Sequence, residues 1–373
     1  PVCLKNRRPA MNKDFVDTYR DVIVQIATPN STGTGFFLKG PGLIVTNHHV
    51  VEGNRKVIVE GARFKKQLSR VLYADRKYDL AFLECPGDHL DEVPDVRLGV
   101  GKNLRERDPV TALGHPFGLK FSVKTGIVSG TREVLNNIPY LHIDAALNPG
   151  NSGGPLVDND GEIVGVNTFV IRDGDNIGFS LPVQFLQDSI TDFQHVGGEN
   201  ACRCTGCGNV VTLQTVENQH CTICGYRVQL PSSVDEYIPT GVPRTIEAII
   251  VRTGHDVALS RGGPNVWEIR QGSARISIAY HDRSGLMTAD AVLCELPKTN
   301  IKPLYEYLLR ENYSNEGLTF SVHDQDIVLS LLIYDRYLNE ESGLRLLQTI
   351  FEKADHYDNI LVEQYGASWK SDD

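Results

Sequence analysis

The heptapeptide Gly150-Asn151-Ser152-Gly153-Gly154-Pro155-Leu156 sets a serine where it can attack a carbonyl. Glycines around Ser152 leave its hydroxyl unshielded. They also let the backbone turn so that the N–H groups of Gly150 and Ser152 converge on one point, as an oxyanion hole requires. A serine hydroxyl is a weak nucleophile until a neighbouring base takes its proton, and that base needs a buried carboxylate to orient it. Candidates for both lie upstream, in the order His, Asp, Ser. Thr46-Asn47-His48-His49-Val50-Val51 follows the apolar run Leu43-Ile44-Val45, and Asp79 opens a second run, Leu80-Ala81-Phe82-Leu83.

Gly150-x-Ser152-x-Gly154 also fits the nucleophile elbow of α/β-hydrolases, where a strand turns into a helix and the triad runs Ser, Asp, His. After Ser152 this chain reads as a strand, a turn at Asn159-Asp160-Gly161 and another strand. No helix comes next, so the elbow is set aside.

Five segments, TNHHVVEG, YDLAFLE, GHPFGLKFSVKTGIVSG, IDAALNPGNSGGPLVDNDGEIVGVNT and IGFSLPV, closely resemble the protease domain of HtrA-type (DegP-like) trypsin-fold serine peptidases. The resemblance covers roughly residues 15–190, about half of the chain. It implies an all-β double barrel, two six-stranded antiparallel barrels with the active site in the cleft between them. Carried over by position, it makes His49 the general base, Asp79 its orienter and Ser152 the nucleophile, with the Gly150 and Ser152 N–H groups as the oxyanion hole. It places Ala146, Asn148, Thr168 and Phe179 at the substrate pocket. The pattern Thr-Asn-x-His-Val selects His49 over His48, and only Asp79, not Asp75, leads directly into an apolar strand. Asp144 and His115 are expected to serve loop and turn hydrogen bonding.

Two residues refine the expected mechanism. Many digestive proteases of this fold carry Asp immediately before the nucleophile, where it pairs with a freshly cut N-terminus; here Asn151 supplies no charge. Loops that order when substrate or partner binds are the expected control. Ala146 stands where trypsin-like members place an Asp at the pocket base, so a buried Arg or Lys would lack a partner. The expected preference before the scissile bond is a small or medium aliphatic residue.

At 373 residues, with 41% hydrophobic and 23% charged residues, the chain is globular and long enough for two or three domains. A net charge of −10 argues against nucleic acid as a partner. No apolar stretch reaches the ~18–20 residues of a membrane span, so no membrane is expected. The opening Pro-Val-Cys-Leu-Lys-Asn-Arg-Arg lacks an apolar secretory core, and Pro1 is what trimming of an initiator Met leaves. A cytoplasmic location is therefore expected, although a processed periplasmic or secreted chain would look similar. The resemblance also implies self-assembly through an N-terminal segment, where Phe15, Val16 and Tyr19 are candidates.

Five of the eight cysteines crowd into residues 202–224. Cys204-x-x-Cys207-Gly208 and Cys221-x-x-Cys224-Gly225 are paired knuckles, the pattern of a structural tetrahedral zinc in a small zinc ribbon. Such a metal supplies about 10–16 kcal/mol of apparent binding energy in comparable peptides. Cys202 and His220 do not fit the doublet and are read as bystanders. A redox pair explains one C-x-x-C but not two.

The expected organisation is an N-terminal arm (1–13), a trypsin-like domain (14–195), a zinc ribbon (196–230), a linker (231–242) and an α+β domain (243–370). In the last, periodicity predicts a helix over 244–255 and strands over 265–270, 274–280 and 289–296. Next come a helix over 301–312, a hairpin of 318–322 with 327–334, and a helix after the N-cap Asn339. This order, αβββαββα, resembles type III secretion chaperone-like domains, including YbjN-type sensory proteins, which implies a protein partner there. The chain as a whole reads as a serine endopeptidase with a recruiting domain. The alternative is a chaperone or binding protein whose peptidase fold mainly holds polypeptides, and a nucleic-acid regulator is disfavoured by the charge.

Overall fold

The computed structural model describes residues 13–87, 90–115, 121–145, 150–171, 177–271, 274–315 and 317–370. They divide between Tyr237 and Ile238 into two compact units.

The first unit opens with α1 (Lys13–Val22), β1 (Ile23–Ala27), β2 (Thr32–Leu38) and β3 (Leu43–Thr46). The one-turn helix α2 (His48–Val51) leads to β4 (Lys56–Gly61), β5 (Phe64–Asp75) and β6 (Leu80–Glu84). Pairing runs β5-β4-β1-β2-β3-β6, and β6 returns to β5, so the six strands close on themselves. Phe36, Phe37, Tyr73 and Phe82 are fully buried inside, each worth about 1.5–3 kcal/mol in transfer from water. A second closed barrel comprises β7 (Pro109–Gly114), β8 (Ser122–Leu135), β9 (Ile138–Asp144), β10 (Pro155–Val157), β11 (Ile163–Ile171) and β12 (Ile177–Pro182). Asn136 and Asn137, both at positive φ, make the tight turn between β8 and β9.

From the second barrel the chain enters α3 (Val183–His195), which crosses to the first. Phe193 packs there on Tyr73 and Phe82, with ring centroids 5.4 and 5.5 Å away. This hand-over delivers β13 (Ala201–Arg203) to the first barrel, where Ala201 and Cys202 pair in parallel with Tyr73 and Ala74 of β5. β14 (Val210–Thr212) pairs on β13, and β15 (Val216–Glu217) with β16 (His220–Cys221) form a separate hairpin. The first part of residues 196–230, expected as a separate zinc ribbon, thus extends the sheet of the first barrel. The reason lies in β5: β4 pairs with it only as far as Arg70, leaving an edge beyond that an added strand satisfies.

The expected linker is also partly structured. Pro231 is buried in the first unit. At its other end Gly241 and Val242 already belong to α4 (Gly241–Arg252), because Pro243 is tolerated in a first turn, where no N–H is needed.

The second unit continues with α5 (Val257–Ser260), β17 (Arg261–Gly263), β18 (Val266–Gln271), β19 (Ala274–His281) and β20 (Leu286–Glu295). Then come α6 (Ile301–Ser314), β21 (Leu318–His323), β22 (Asp326–Tyr334), α7 (Glu340–Tyr365) and β23 (Ser368–Trp369). The sheet order is β17-β18-β19-β20-β22-β21, with β23 on β20. α5, β17 and β23 are additions to the expected order, and β20 starts earlier because its hairpin with β19 extends to the pair His281 and Leu286. Asn339 caps α7 reciprocally with Ser342, and Gly366 at φ 69° ends it. Leu347, Ile350, Ala354 and Leu361 of α7 are buried.

Among the described residues, no helix is long and apolar enough to cross a membrane. Tyr19 is not available to a second chain: it is 1% exposed, and its hydroxyl donates to the carbonyl of Gly161 at 2.9 Å. Phe15 packs edge-on against it.

Candidate active site

The first barrel carries His49 and Asp79. Asp79 sits at the mouth of β6 with φ 53°, a left-handed conformation that costs a non-glycine residue about 1–3 kcal/mol. It is held there from several sides. The buried Asn47 amide donates to the Asp79 carbonyl (2.8 Å), and the His49 backbone N–H donates to Oδ1 (3.0 Å). Asp79 Oδ2 lies 2.7 Å from His49 Nδ1. A carboxylate only accepts, so this contact fixes a proton on Nδ1 and leaves Nε2 bare, the tautomer a general base requires. Partial burial disfavours charge on His49, but the hydrogen bond and charge of Asp79, with help from Glu52, outweigh it and raise the pKa. His48 behaves oppositely, since burial dominates and lowers its pKa. It lines a cleft with Glu52, Arg76 and Arg203.

The second barrel supplies the serine, and one buried threonine fastens it to the first. Thr34 of β2 donates its backbone N–H to the Ser152 carbonyl (2.9 Å) and its hydroxyl to the Gly150 carbonyl (2.6 Å). The same hydroxyl accepts from the His115 N–H at 2.9 Å, while the Thr34 carbonyl accepts from the Thr46 hydroxyl at 2.7 Å. Gly153, at φ 85°, passes so close that a Cβ would lie 2.2 Å from the Thr34 carbonyl oxygen. Only glycine permits this approach. The Ser152 hydroxyl donates to the Thr168 carbonyl at 3.1 Å. Among the described residues no hydrogen bond joins it to His49, so the serine is turned aside from its base.

Of the other residues the sequence points to, Ala146 and Asn148 lie outside the described residues. Thr168 addresses the serine through its carbonyl, while its buried side chain donates to Val166. Phe179 is buried, stacked on His142 at 5.5 Å. Asn151 is buried too, its Oδ1 against Gly114 and without a hydrogen-bond partner among the described residues. Asp75 does not approach His49; its Oδ1 caps the Lys77 and Tyr78 N–H groups at 3.0 Å each. Thr34, Asn47 and Arg203 hold the site together although no motif gives them a role. The Asp75-x-x-x-Asp79 spacing is a readable signal for the turn, whereas nothing local marks Thr34 or Arg203.

The sulfurs of Cys204, Cys207, Cys221 and Cys224 lie within 4.8 Å of one another. Cys204 to Cys224 is 3.5 Å and Cys207 to Cys221 is 3.9 Å. Four sulfurs about 2.3 Å from one tetrahedral ion stand about 3.8 Å apart, so the cluster fits that donor set. The knuckles match: Gly208 donates to Cys204 and Gly225 to Cys221, both at 2.8 Å. Asn209, through its backbone and its side chain at 3.3 Å, pulls the Cys207 thiol down to about 6. Cys202 and His220 stand outside the cluster.

A His–Asp pair on one closed barrel and a glycine-flanked serine on a second make the layout of a trypsin-like serine peptidase. Residues 33–166 match the family described as trypsin-like peptidase domain. The chain is 36% identical over 189 residues to a probable periplasmic serine endoprotease DegP-like from Hahella chejuensis, covering 49% of this chain and 39% of that protein. With serine protease HTRA4 of Mus musculus it shares 42% identity over 174 residues, 43% of this chain and 35% of the relative. A solved structure of the serine endoprotease from Yersinia pestis aligns over 52% of this chain and 70% of its own, at 27% identity and TM-score 0.44. The chain thus spans well under half the length of the curated relatives it matches. The DegP-like relatives are named periplasmic, which gives the cytoplasmic expectation no support.

The twin histidines give a direct test. In an NMR titration of the full chain, the His49 ring should titrate above the ordinary 6.5 and His48 below it. Asp79→Asn should bring both rings down and His49 the further, because His49 loses a bonded charge and His48 an unbonded one. Equal midpoints for both rings would contradict the geometry.

Proposed function

We propose that this protein is a serine endopeptidase that cleaves protein substrates through an acyl-enzyme, with His49 as base, Asp79 as its orienter and Ser152 as nucleophile. The observation that carries the reading is the His49–Asp79 contact of 2.7 Å beside a glycine-flanked serine in a trypsin-like domain. Rotation of the Ser152 hydroxyl from the Thr168 carbonyl to His49 Nε2 completes the triad. His49 then takes the proton as Ser152 attacks, and the Gly150 and Ser152 N–H groups receive the oxyanion. The imidazolium next protonates the leaving amine, and water releases the acyl group by the reverse sequence. The starting position of Ser152 supports a resting form that substrate or partner binding converts, the control expected when Asn151 replaces an acidic switch. The residue before the scissile bond is small or medium aliphatic, on the strength of Ala146 in the sequence. The alternative, pure polypeptide holding, needs none of the contacts that set the Asp79–His49 pair.

A fluorophosphonate probe should label the wild-type chain at Ser152 and leave Ser152→Ala unlabelled and without peptidase activity. Asp79→Asn should lower turnover on the order of 10⁴-fold. Proteolysis by purified Ser152→Ala at the wild-type rate would refute the assignment.

We infer likewise that Cys204, Cys207, Cys221 and Cys224 hold one structural zinc. Its role there would be to cross-link β13 and β16 through the two knuckles, with no open position for chemistry. Elemental analysis of protein purified without chelator should find about one zinc per chain, and Cys221→Ser should release it. Metal-free protein with an intact fold would count against the site.

The C-terminal unit is proposed to recruit a protein, either a substrate or an adaptor. Supporting this, α6 leaves Tyr305, Leu309 and Tyr313 exposed at helical spacing. Replacing Leu309 and Tyr313 by Glu should leave cleavage of a short peptide unchanged while altering the set of new N-termini produced in a proteome digest. An unaltered set would remove α6 from recognition.

A further inference from the structure

We propose that Arg203, supplied by the cysteine-bearing segment, is a positioning residue for the catalytic carboxylate and acts on it through Asp75; the proposal rests on the triad reading above. Asp75 closes β5 and is 0% exposed. Four residues later Asp79 opens β6, so the two carboxylates bracket one tight turn. Asp75 Oδ1 holds that turn by accepting from the Lys77 and Tyr78 N–H groups. Its Oδ2 accepts from the Tyr73 hydroxyl at 2.8 Å and from Arg203 Nε at 2.6 Å.

Arg203 is the cation paired with this buried carboxylate. It is 8% exposed, and its other N–H groups go to Asp192 (2.9 Å) and to the Gly208 carbonyl (2.9 Å). Its guanidinium also lies 5.1 Å from the centre of the Tyr78 ring, within the turn itself. Remove the guanidinium and the buried carboxylate loses its cation and one of its hydrogen bonds, so that it shifts or draws in water. Either change weakens it as an acceptor for Lys77 and Tyr78. The strained backbone of Asp79, four residues along, then loses the scaffold that holds it, and the contact with His49 lengthens.

The coupling also ties the cysteine cluster to the triad. Arg203 immediately precedes Cys204, and the carbonyl it grips belongs to the glycine just after Cys207. One side chain therefore joins the first knuckle to the catalytic turn.

The test uses the full chain carrying Arg203→Met or Arg203→Lys, with active sites titrated by fluorophosphonate so that misfolded protein is not counted. Arg203→Met should lower kcat per titrated site by about tenfold or more with KM little changed, the signature of a misplaced catalytic group. In NMR, the His49 ring should lose part of the upward shift that Asp79 gives it. Arg203→Lys keeps the charge but not the fork, and should fall between Met and wild type. A merely structural role predicts fewer active sites, each with wild-type kcat and an unmoved His49 titration, and that result would overturn the proposal. Should Arg203→Met fail to fold, Arg203→Lys decides by the same two readings, and wild-type values for both overturn it. If the wild-type chain shows no Ser152-dependent turnover, the peptidase reading fails separately, while the His49 titration still reports whether Arg203 acts through Asp75.

Discussion

His49 and Ser152 belong to different barrels, and the interaction on which the site depends is the buried seam at Thr34. A peptidase needs its serine placed to a fraction of an ångström relative to its histidine. Two separately closed barrels offer no such precision by themselves. Thr34 provides it by bonding the carbonyls on either side of Asn151 and the N–H of His115, while Thr46 fixes its own carbonyl. The two hydroxyl bonds, from Thr34 to Gly150 and from Thr46 to Thr34, are removed from water, where a hydrogen bond is stronger and its loss more costly. The glycine at position 153 belongs to the same device, since the close approach of the two chains leaves no room for a side chain. What reads in the sequence as a flexible serine loop is, in the fold, one of the most constrained stretches of the chain.

The chemistry is more legible in the sequence than its supports. A serine between glycines, a histidine after an apolar strand and an aspartate before one can be found because each depends on local spacing. The four knuckle cysteines are legible for the same reason, and the structure brings their sulfurs together. Thr34 and Arg203 are not legible, because their importance comes from partners more than a hundred residues away in the chain. Asp75 looks in the sequence like a rival to Asp79, whereas in the fold it builds the turn Asp79 stands on. The helical stripe of α7 is readable from periodicity, but β17 and β23 are too short to leave a pattern. Helix α4 begins earlier than its periodicity suggests, because a proline fits a first turn and does not stop a helix there.

The cysteine-bearing segment changes meaning between sequence and structure. Its composition suggests a detachable module stapled by metal. Its backbone instead occupies an edge of the first barrel that β4 leaves free, and α3 is the strap that carries it there. A strand added in this way both satisfies backbone groups and removes an edge open to another chain. The segment is therefore better described as the last part of the first unit than as the first part of the C-terminal unit. The true division comes at Tyr237 and Ile238, after which a separate sheet and helices build their own core.

The ion pair between Asp75 and Arg203 spans 128 positions of chain, and that separation has a meaning for biosynthesis. A ribosome adding about 5–20 residues per second needs on the order of ten seconds to go from one to the other. By the end of that interval both barrels and the residues His49, Asp79 and Ser152 have been made, yet the buried carboxylate at the turn still lacks its cation. Until the cysteine-bearing segment clears the exit tunnel, the nascent polypeptide therefore holds that turn without the guanidinium that the finished fold places against it. An early-made turn is thus completed by a late-made residue.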